Sequence, residues 1–203
     1  DFLAAFSHDK RKKIRQDRRK LAERGVAFER RRGSELGAAD WAFFYRCYES
    51  TYRAHRSTPY LTLECFERIG AALGDDVLMV TGSRDGRPLC AALDVTDGTT
   101  MWGRYWGAID YVPGLHFEAC YYQAIEHCLA HGISRFEGGA QGVHKLARGL
   151  EPVATCSAHA IGDRGFAAAI ADYCSRERAD VLRTVDELAE SSPYKSLATT
   201  DDA

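Results

Sequence analysis

The 203-residue sequence predicts a mixed α/β fold, with a mainly antiparallel sheet flanked by helices. Three observations predict it. Two Asp-Gly pairs, Asp85-Gly86 and Asp97-Gly98, separate apolar runs and mark tight hairpins. Segments with apolar residues three and four apart precede and follow these runs, and several stop at glycine. A helix-length segment ending at Gly132 leads at once into a short apolar run, the pattern of a crossover into a parallel strand.

The elements follow in order. Ser7 is a good N-cap and Gly25 a good stop, so residues between them form a first helix. Its apolar positions (Phe6, Ile14, Leu21, Ala22) make a stripe too narrow for a core. Val26 to Arg31 alternates like a short edge strand. Asp40 is the expected N-cap of a helix reaching about Arg53, with Trp41, Phe44, Tyr45 and Tyr48 at helical spacing. Thr62 caps another, ending near Gly74. Asp76–Arg84, Arg87–Thr96 and Thr99–Trp106 form the meander. Within the last, alternation puts Trp102, Arg104 and Trp106 on one face and Tyr105 on the other. A helix from about His116 to His131 and a strand from Ile133 to Phe136 come next. A second strand-like run covers Val153 to Ile161, and a final helix covers roughly Phe166 to Glu190. By these boundaries residues 1–25 are a basic helix, 26–195 the main domain and 196–203 a flexible tail.

Composition narrows the class. Hydrophobic residues at 45% and aromatics at 11% are globular values. No apolar run approaches the length of a membrane span. Seven cysteines, odd in number and scattered through apolar patterns, predict reduced thiols in a cytoplasmic protein. The net charge of −2 hides an asymmetry, because nine Lys or Arg stand against three acids between Ser7 and Arg24. Lys10, Arg11, Lys12, Lys13 and Arg15 read either as a polyanion-binding arm for RNA or as a solvated helix face. Opening on Asp1 rather than methionine is expected of a chain whose upstream segment has been removed.

The segment Glu137-Gly-Gly-Ala-Gln-Gly-Val-His-Lys-Leu-Ala-Arg-Gly149 is the richest in chemistry. Its glycines, Gly139 and Gly142 among them, allow close backbone approach. His144, Lys145 and Arg148 place three cationic or proton-carrying groups within five residues. In a helical turn Lys145 or His144 shares a face with Arg148. That suits a phosphate, a carboxylate or a developing oxyanion, and Gln141 adds a polar contact. The alternative is an ordinary loop with a solvated basic face. His127 and His131 lie four apart, but Glu126 precedes the first histidine, so this is not the zinc-protease pattern and no metal is expected.

Three segments together resemble a known family: Ser7 to Arg15 reaching Gly25-Val26; Tyr105-Trp106-Gly107 followed by His116 to Gln123; and Gly139 to Pro152. They look like the Fem-like proteins labelled peptidoglycan biosynthesis or recognition, within the GCN5-related N-acetyltransferase superfamily. The resemblance runs to about residue 195. It implies an acyltransferase-like fold, the second of two such domains, with the first as a missing partner. Characterised relatives transfer an aminoacyl group from aminoacyl-tRNA to an amine of a cell-wall precursor. Ordinary superfamily members use acetyl-CoA, whose pyrophosphate sits on an Arg/Gln-x-x-Gly-x-Gly/Ala turn. Here that place reads Val112-Pro-Gly-Leu-His-Phe117 and lacks the turn, so the donor stays open between an acyl-CoA and aminoacyl-tRNA.

Chemistry of that kind needs a route for the amine's proton and donors for the tetrahedral oxyanion. His116 and His144 are the neutral-pH proton carriers, and Glu137 at a strand end is a further base. Lys145 or Arg148 holds the oxyanion or a donor phosphate. His116, Cys120 and Gln123 fall on one helix face, with Glu118 and Tyr122 on another, and Tyr105 joins the site through the resembling motif. A module that binds RNA or cell-wall precursors without turnover is the alternative.

Overall fold

Two tight turns fold the middle of the chain into a meander. Asp85 and Gly86 both take positive φ (52° and 72°), as a two-residue hairpin turn requires. At the second turn the Asp97 carboxylate accepts the N–H groups of Thr99 and Thr100 at 2.8 and 2.7 Å, which lowers its pKa. The computed structural model describes residues 2–139 and 142–195. Its strands are β1 (Val26–Arg32), β2 (Val77–Arg84), β3 (Arg87–Thr96), β4 (Thr100–Ala108) and β5 (Arg135–Glu137), in the spatial order of the chain. The first four are antiparallel, and β4 and β5 are parallel. The expected class is the observed one.

The chain divides into two compact units, one of residues 12–141 and one of 1–11 with 142–203. The first holds the whole sheet. On one face, Leu78, Val80, Ala92 and Met101 pack with Leu115, Ala119 and Cys128, and with Leu21 of helix α1 (His8–Glu23). On the other, Met79, Ala91 and Leu93 pack with Trp41, Phe44, Cys47 and Tyr48 of α2 (Ala38–Ala54) and with Phe66 of α3 (Leu63–Leu73). Burial of apolar surface on both faces is what fixes these strands. Thr62 caps α3 as expected, accepting from the Cys65 N–H at 3.2 Å. Asp40 does not cap α2 from the N-cap position. Gly37 holds that place, and Asp40 reaches back from the first turn to its N–H at 2.9 Å.

The helix after the meander is one run with a change of pitch. It starts as α4 (Leu115–Phe117), passes through a π-helical turn (Glu118–Tyr122) and continues as α5 (Gln123–His131). None of the seven cysteines is bridged among the described residues, and burial pushes the Cys47 and Cys90 thiols up to about 12.

In the other unit, Phe6 pairs with Tyr194 in an isolated antiparallel bridge, and their rings pack at 4.9 Å. Helix α6 (Arg164–Ala189) is capped by Asp163, whose carboxylate accepts from the Phe166 N–H at 2.7 Å, and buries none of its residues. The strand expected over Val153–Ile161 is not formed. The segment is irregular and Val153 is 73% exposed; without a neighbouring strand its apolar pattern has nothing to pair with. The expected tail, 196–203, lies outside the described residues.

Candidate functional site

The geometry most suited to a site is a fork in the sheet. β4 and β5 pair over only three residues, Thr100–Trp102 with Arg135–Glu137. Beyond Trp102, β4 runs on to Ala108 without β5. The register between β3 and β4 slips at this place, with Asp94 opposite Gly103 and Leu93 opposite Tyr105, so Arg104 is the extra residue of a β-bulge. The bulge changes the parity of β4. Met101 belongs to the α5-side core, and so does Trp106, so Trp102 and Trp106 lie on opposite faces rather than the same one. Tyr105 does face the α2 side, as alternation from Trp106 requires.

Helix α2 caps the outer edge of β4. The Thr51 hydroxyl donates to the Trp106 carbonyl and the Ser50 hydroxyl to the Ala108 carbonyl, each at 2.8 Å. Gly107 permits this approach, since a Cβ there would lie 1.8 Å from the Cys47 carbonyl oxygen. Tyr105 sits beside Tyr60, their hydroxyls 2.7 Å apart. Burial and that bond push the Tyr105 phenol up to about 12. Tyr48 positions the Tyr60 loop by accepting the N–H groups of Tyr60 and Leu61.

His116 is half-buried at the start of the helical run, with its ring 5.0 Å from Trp106 and 5.6 Å from Tyr121. Gln123 is not on its face. The π turn shifts the phase, so Gln123 lies above Glu118 and donates its amide to that carboxylate at 2.8 Å. Glu118 is buried and also receives a bidentate grip from Arg18 of α1 at 2.8–3.1 Å. Arg18 further meets Glu126 and lies over the Tyr122 ring. Glu137 ends β5, its side chain exposed, and Gly139 follows with φ +77°.

The other unit contains Gly142, His144, Lys145 and Arg148. Val143–Arg148 form a 3-10 turn, in which residues three apart eclipse, so Lys145 and Arg148 are aligned. Arg148 donates to the His144 carbonyl at 2.8 Å. The His144 ring lies over Gly142, within 2.6 Å of where a Cβ would stand, and that residue has φ +101°. Burial, Arg148 and Lys145 lower the His144 pKa, which favours its neutral imidazole. The turn ends at Gly149, whose carbonyl accepts from the Tyr194 hydroxyl at 2.7 Å. Thus Tyr105, His116, Gln123, Glu137 and Gly139 belong to the sheet unit, and Gly142, His144, Lys145 and Arg148 to the other. Gln141 lies outside the described residues.

On α1, Lys10, Lys12, Lys13 and Arg15 are exposed and Arg11 is half-buried. Lys13 pairs with Asp17 at 2.9 Å. Sequence reasoning did not single out Arg18, Tyr60 or Asp94, and it placed Glu118 only on a helix face with Tyr122. A buried ion pair a hundred residues apart leaves no local spacing to read, and Asp94 looks like the polar member of an alternating strand.

Comparison with known proteins gives a family and several partial structural likenesses. A FemAB-like family model, described as peptidoglycan biosynthesis and recognition, matches residues 1–196. No curated protein matches the sequence. Among solved structures, the chain is similar to the C-terminal DUF2156 domain of a lysylphosphatidylglycerol synthetase candidate from Agrobacterium fabrum. That match has 15% identity and TM-score 0.48 over 66% of this chain and 43% of the other, so the chain spans less than half its length. It is also similar to glucosamine-6-phosphate N-acetyltransferase from Arabidopsis thaliana (14% identity, TM-score 0.44, 68% and 99% covered). An aminoglycoside acetyltransferase from an uncultured soil metagenomic sample matches at 8% identity and TM-score 0.45 (70% and 97% covered).

Proposed function

The chain belongs to the FemAB-like family of peptidoglycan biosynthesis and recognition, and from that premise we propose an acyltransferase-like domain that moves an acyl or aminoacyl group to an amine in cell-wall metabolism. The family match over residues 1–196 carries this reading. The fork supports it, because beyond Trp102 the two strands part and leave room between β4 and β5 for a ligand. In the reaction the amine nitrogen attacks the acyl carbonyl, the tetrahedral oxyanion collapses, and the nitrogen's proton leaves while the thiolate or ribose oxygen departs. Proton transfer falls to His116 or His144, and Glu137 is a further base. Lys145 and Arg148 hold the oxyanion or a donor phosphate, Arg148 with the better geometry for a bidentate grip. Within the sheet unit Gly139 and Tyr105 are the proposed substrate contacts, and within the other unit Gly142. The unbridged thiols suit a cytoplasmic setting, and a preceding acyltransferase-like domain is part of the same proposal.

Calorimetric titration with acetyl-CoA, beside Lys145→Ala, tests the donor. Saturable binding lost in the variant supports a coenzyme-A mechanism and the role of Lys145. No binding moves the donor to aminoacyl-tRNA, tested by transfer from charged tRNA to a cell-wall precursor amine. There Lys145→Ala is expected to abolish turnover with the fold intact, and unchanged turnover excludes the role.

One observation favours a second reading, RNA binding without turnover. Lys12, Arg15 and Arg19 lie at i, i+3 and i+7 on the exposed side of α1, opposite buried Ile14 and Leu21. RNA affinity that falls steeply with salt and drops on replacing these residues is the expected result. Salt-independent or absent binding removes it.

A further inference from the structure

Asp94 is the one carboxylate on β3 buried in the core, at 2% exposure. Its neighbours on that face are Leu78, across the β2 ladder, and the Met101 and Cys128 cluster. Its Oδ2 has no hydrogen-bond partner among the described residues. An apolar side chain packs such a place better, so a carboxyl group there calls for a hydrogen-bonding role. The other carboxyl oxygen, Oδ1, faces Gly103. A Cβ on Gly103 would lie 3.4 Å from Asp94 Oδ1, 3.7 Å from the Glu137 carbonyl oxygen and 3.9 Å from the Phe136 ring. The carboxyl group and the last paired carbonyl of β5 therefore open on one niche beside Gly103, at the last rung before the strands part.

We propose that Asp94 is the positioning residue of the fork, its carboxyl group fixing the Gly103–Glu137 end of the β4–β5 pair. The relevance to catalysis rests on the fork being the ligand site; the positioning itself does not. Burial alone holds the acid well above the usual carboxylate range, which favours the neutral form in the core. The titratable group acting on it is the Cys128 thiol of α5, itself pushed up to about 11 by burial and by Asp94, so no charge opposes the neutral acid. A neutral carboxyl has an O–H to donate, and the Glu137 carbonyl facing the same niche is the acceptor, reached directly or through one buried water. Ionisation at high pH removes that donor and loosens the fork without breaking the sheet.

The test uses the whole chain, without ligand. Asp94→Asn keeps the size and an N–H donor but cannot ionise; Asp94→Leu keeps the volume and loses the donor. Infrared difference spectra of wild type against Asp94→Asn at pH 7 are expected to show the carbonyl stretch of a protonated carboxyl. Amide exchange at Gly103, Phe136 and Glu137 is expected within about twofold of wild type in Asp94→Asn, and about tenfold faster in Asp94→Leu. Wild-type exchange there should accelerate beyond the intrinsic pH effect as Asp94 titrates, and Asp94→Asn should not. Absence of the protonated-carboxyl band, or equal protection in Asp94→Leu and wild type, overturns the proposal. If both variants fail to fold, the wild-type spectrum and pH dependence decide alone. A failed acetyl-CoA titration bears on the donor and leaves these results standing.

Discussion

Gly107→Ala is the sharpest test of how α2 seats on the outer end of β4. The new Cβ would stand 1.8 Å from the Cys47 carbonyl oxygen, 2.3 Å from its carbon and 2.9 Å from the Thr51 hydroxyl. The nearest obstacle is backbone, so no side-chain rotation relieves the clash. Helix α2 has to lift by roughly 1.5 Å to restore van der Waals distance. That movement breaks the 2.8 Å bonds from Ser50 to the Ala108 carbonyl and from Thr51 to the Trp106 carbonyl, each contributing about 1 kcal/mol. It also disturbs buried Cys47 and Tyr48, and overpacking of this kind costs about 1–3 kcal/mol. The expected loss is about 3–5 kcal/mol, a large part of an ordinary domain's stability. Urea denaturation read by circular dichroism measures it. Ser50→Ala with Thr51→Val isolates the hydrogen-bond share at about 2 kcal/mol. A Gly107→Ala protein within about 1 kcal/mol of wild type would refute the seating of α2 on β4 and the capping of its edge.

Two further outcomes follow from buried charges. Arg18→Met strands the Glu118 carboxylate in the core and is expected to cost about 3 kcal/mol; adding Glu118→Gln should recover more than half of it, and a double variant no more stable than the single would show that Glu118 is not the group left behind. His127 is buried and its pKa is lowered from 6.5 to about 4, first by burial and then by His131, Arg30 and Arg32. The unfolded chain therefore takes up this proton first as the pH falls. Its contribution is complete above about 6.5, declines between 6.5 and 4 and is flat below, amounting to at most about 3 kcal/mol. His127→Asn should flatten that limb of the stability curve in melts across the range, and an unchanged curve would remove His127 from it.

Much of the fold is readable because local chemistry and global packing agree. Thr62 caps α3 and Asp163 caps α6 through their own side chains, and both Asp-Gly turns lie where the two residues place them. The parallel β5 is legible from the Gly132 stop, since a helix that ends beside a sheet has few ways to return. What could not be read depends on partners distant in sequence. Arg18 looks like one more charge in a basic helix until it meets Glu118. The Val153–Ile161 run has the composition of a strand, but a strand exists only where another strand receives its hydrogen bonds. The residues of the glycine-rich segment were identifiable by type, and their spacing aligned Lys145 with Arg148 on a helical turn, whereas the 3-10 form of that turn was not legible.

Two of the misreadings have one physical origin. The bulge at Arg104 adds a residue to β4 and reverses the facing of Trp102 relative to Trp106; the π turn at Glu118–Tyr122 widens one helical turn and moves Gln123 from the face of His116 to that of Glu118. Periodicity arguments assume a constant pitch, so a single inserted residue defeats them while leaving every residue type plausible. Both phase shifts occur in one unit, in the strand that forms the fork and in the helical run that begins with His116. Each disrupts regular hydrogen bonding, and neither improves the packing of an isolated strand or helix. Such irregularity is retained where a side chain must be re-aimed, which gives the fork a claim to function independent of any likeness to other proteins. Removing Arg104 leaves Gly103 opposite Asp94 and Tyr105 opposite Leu93, so the sheet should stay folded with Tyr105 still facing α2 and Tyr60. A Tyr105 titration that stays raised in that deletion is the expected result, and its loss would show that the bulge, rather than the ladder to Leu93, aims Tyr105.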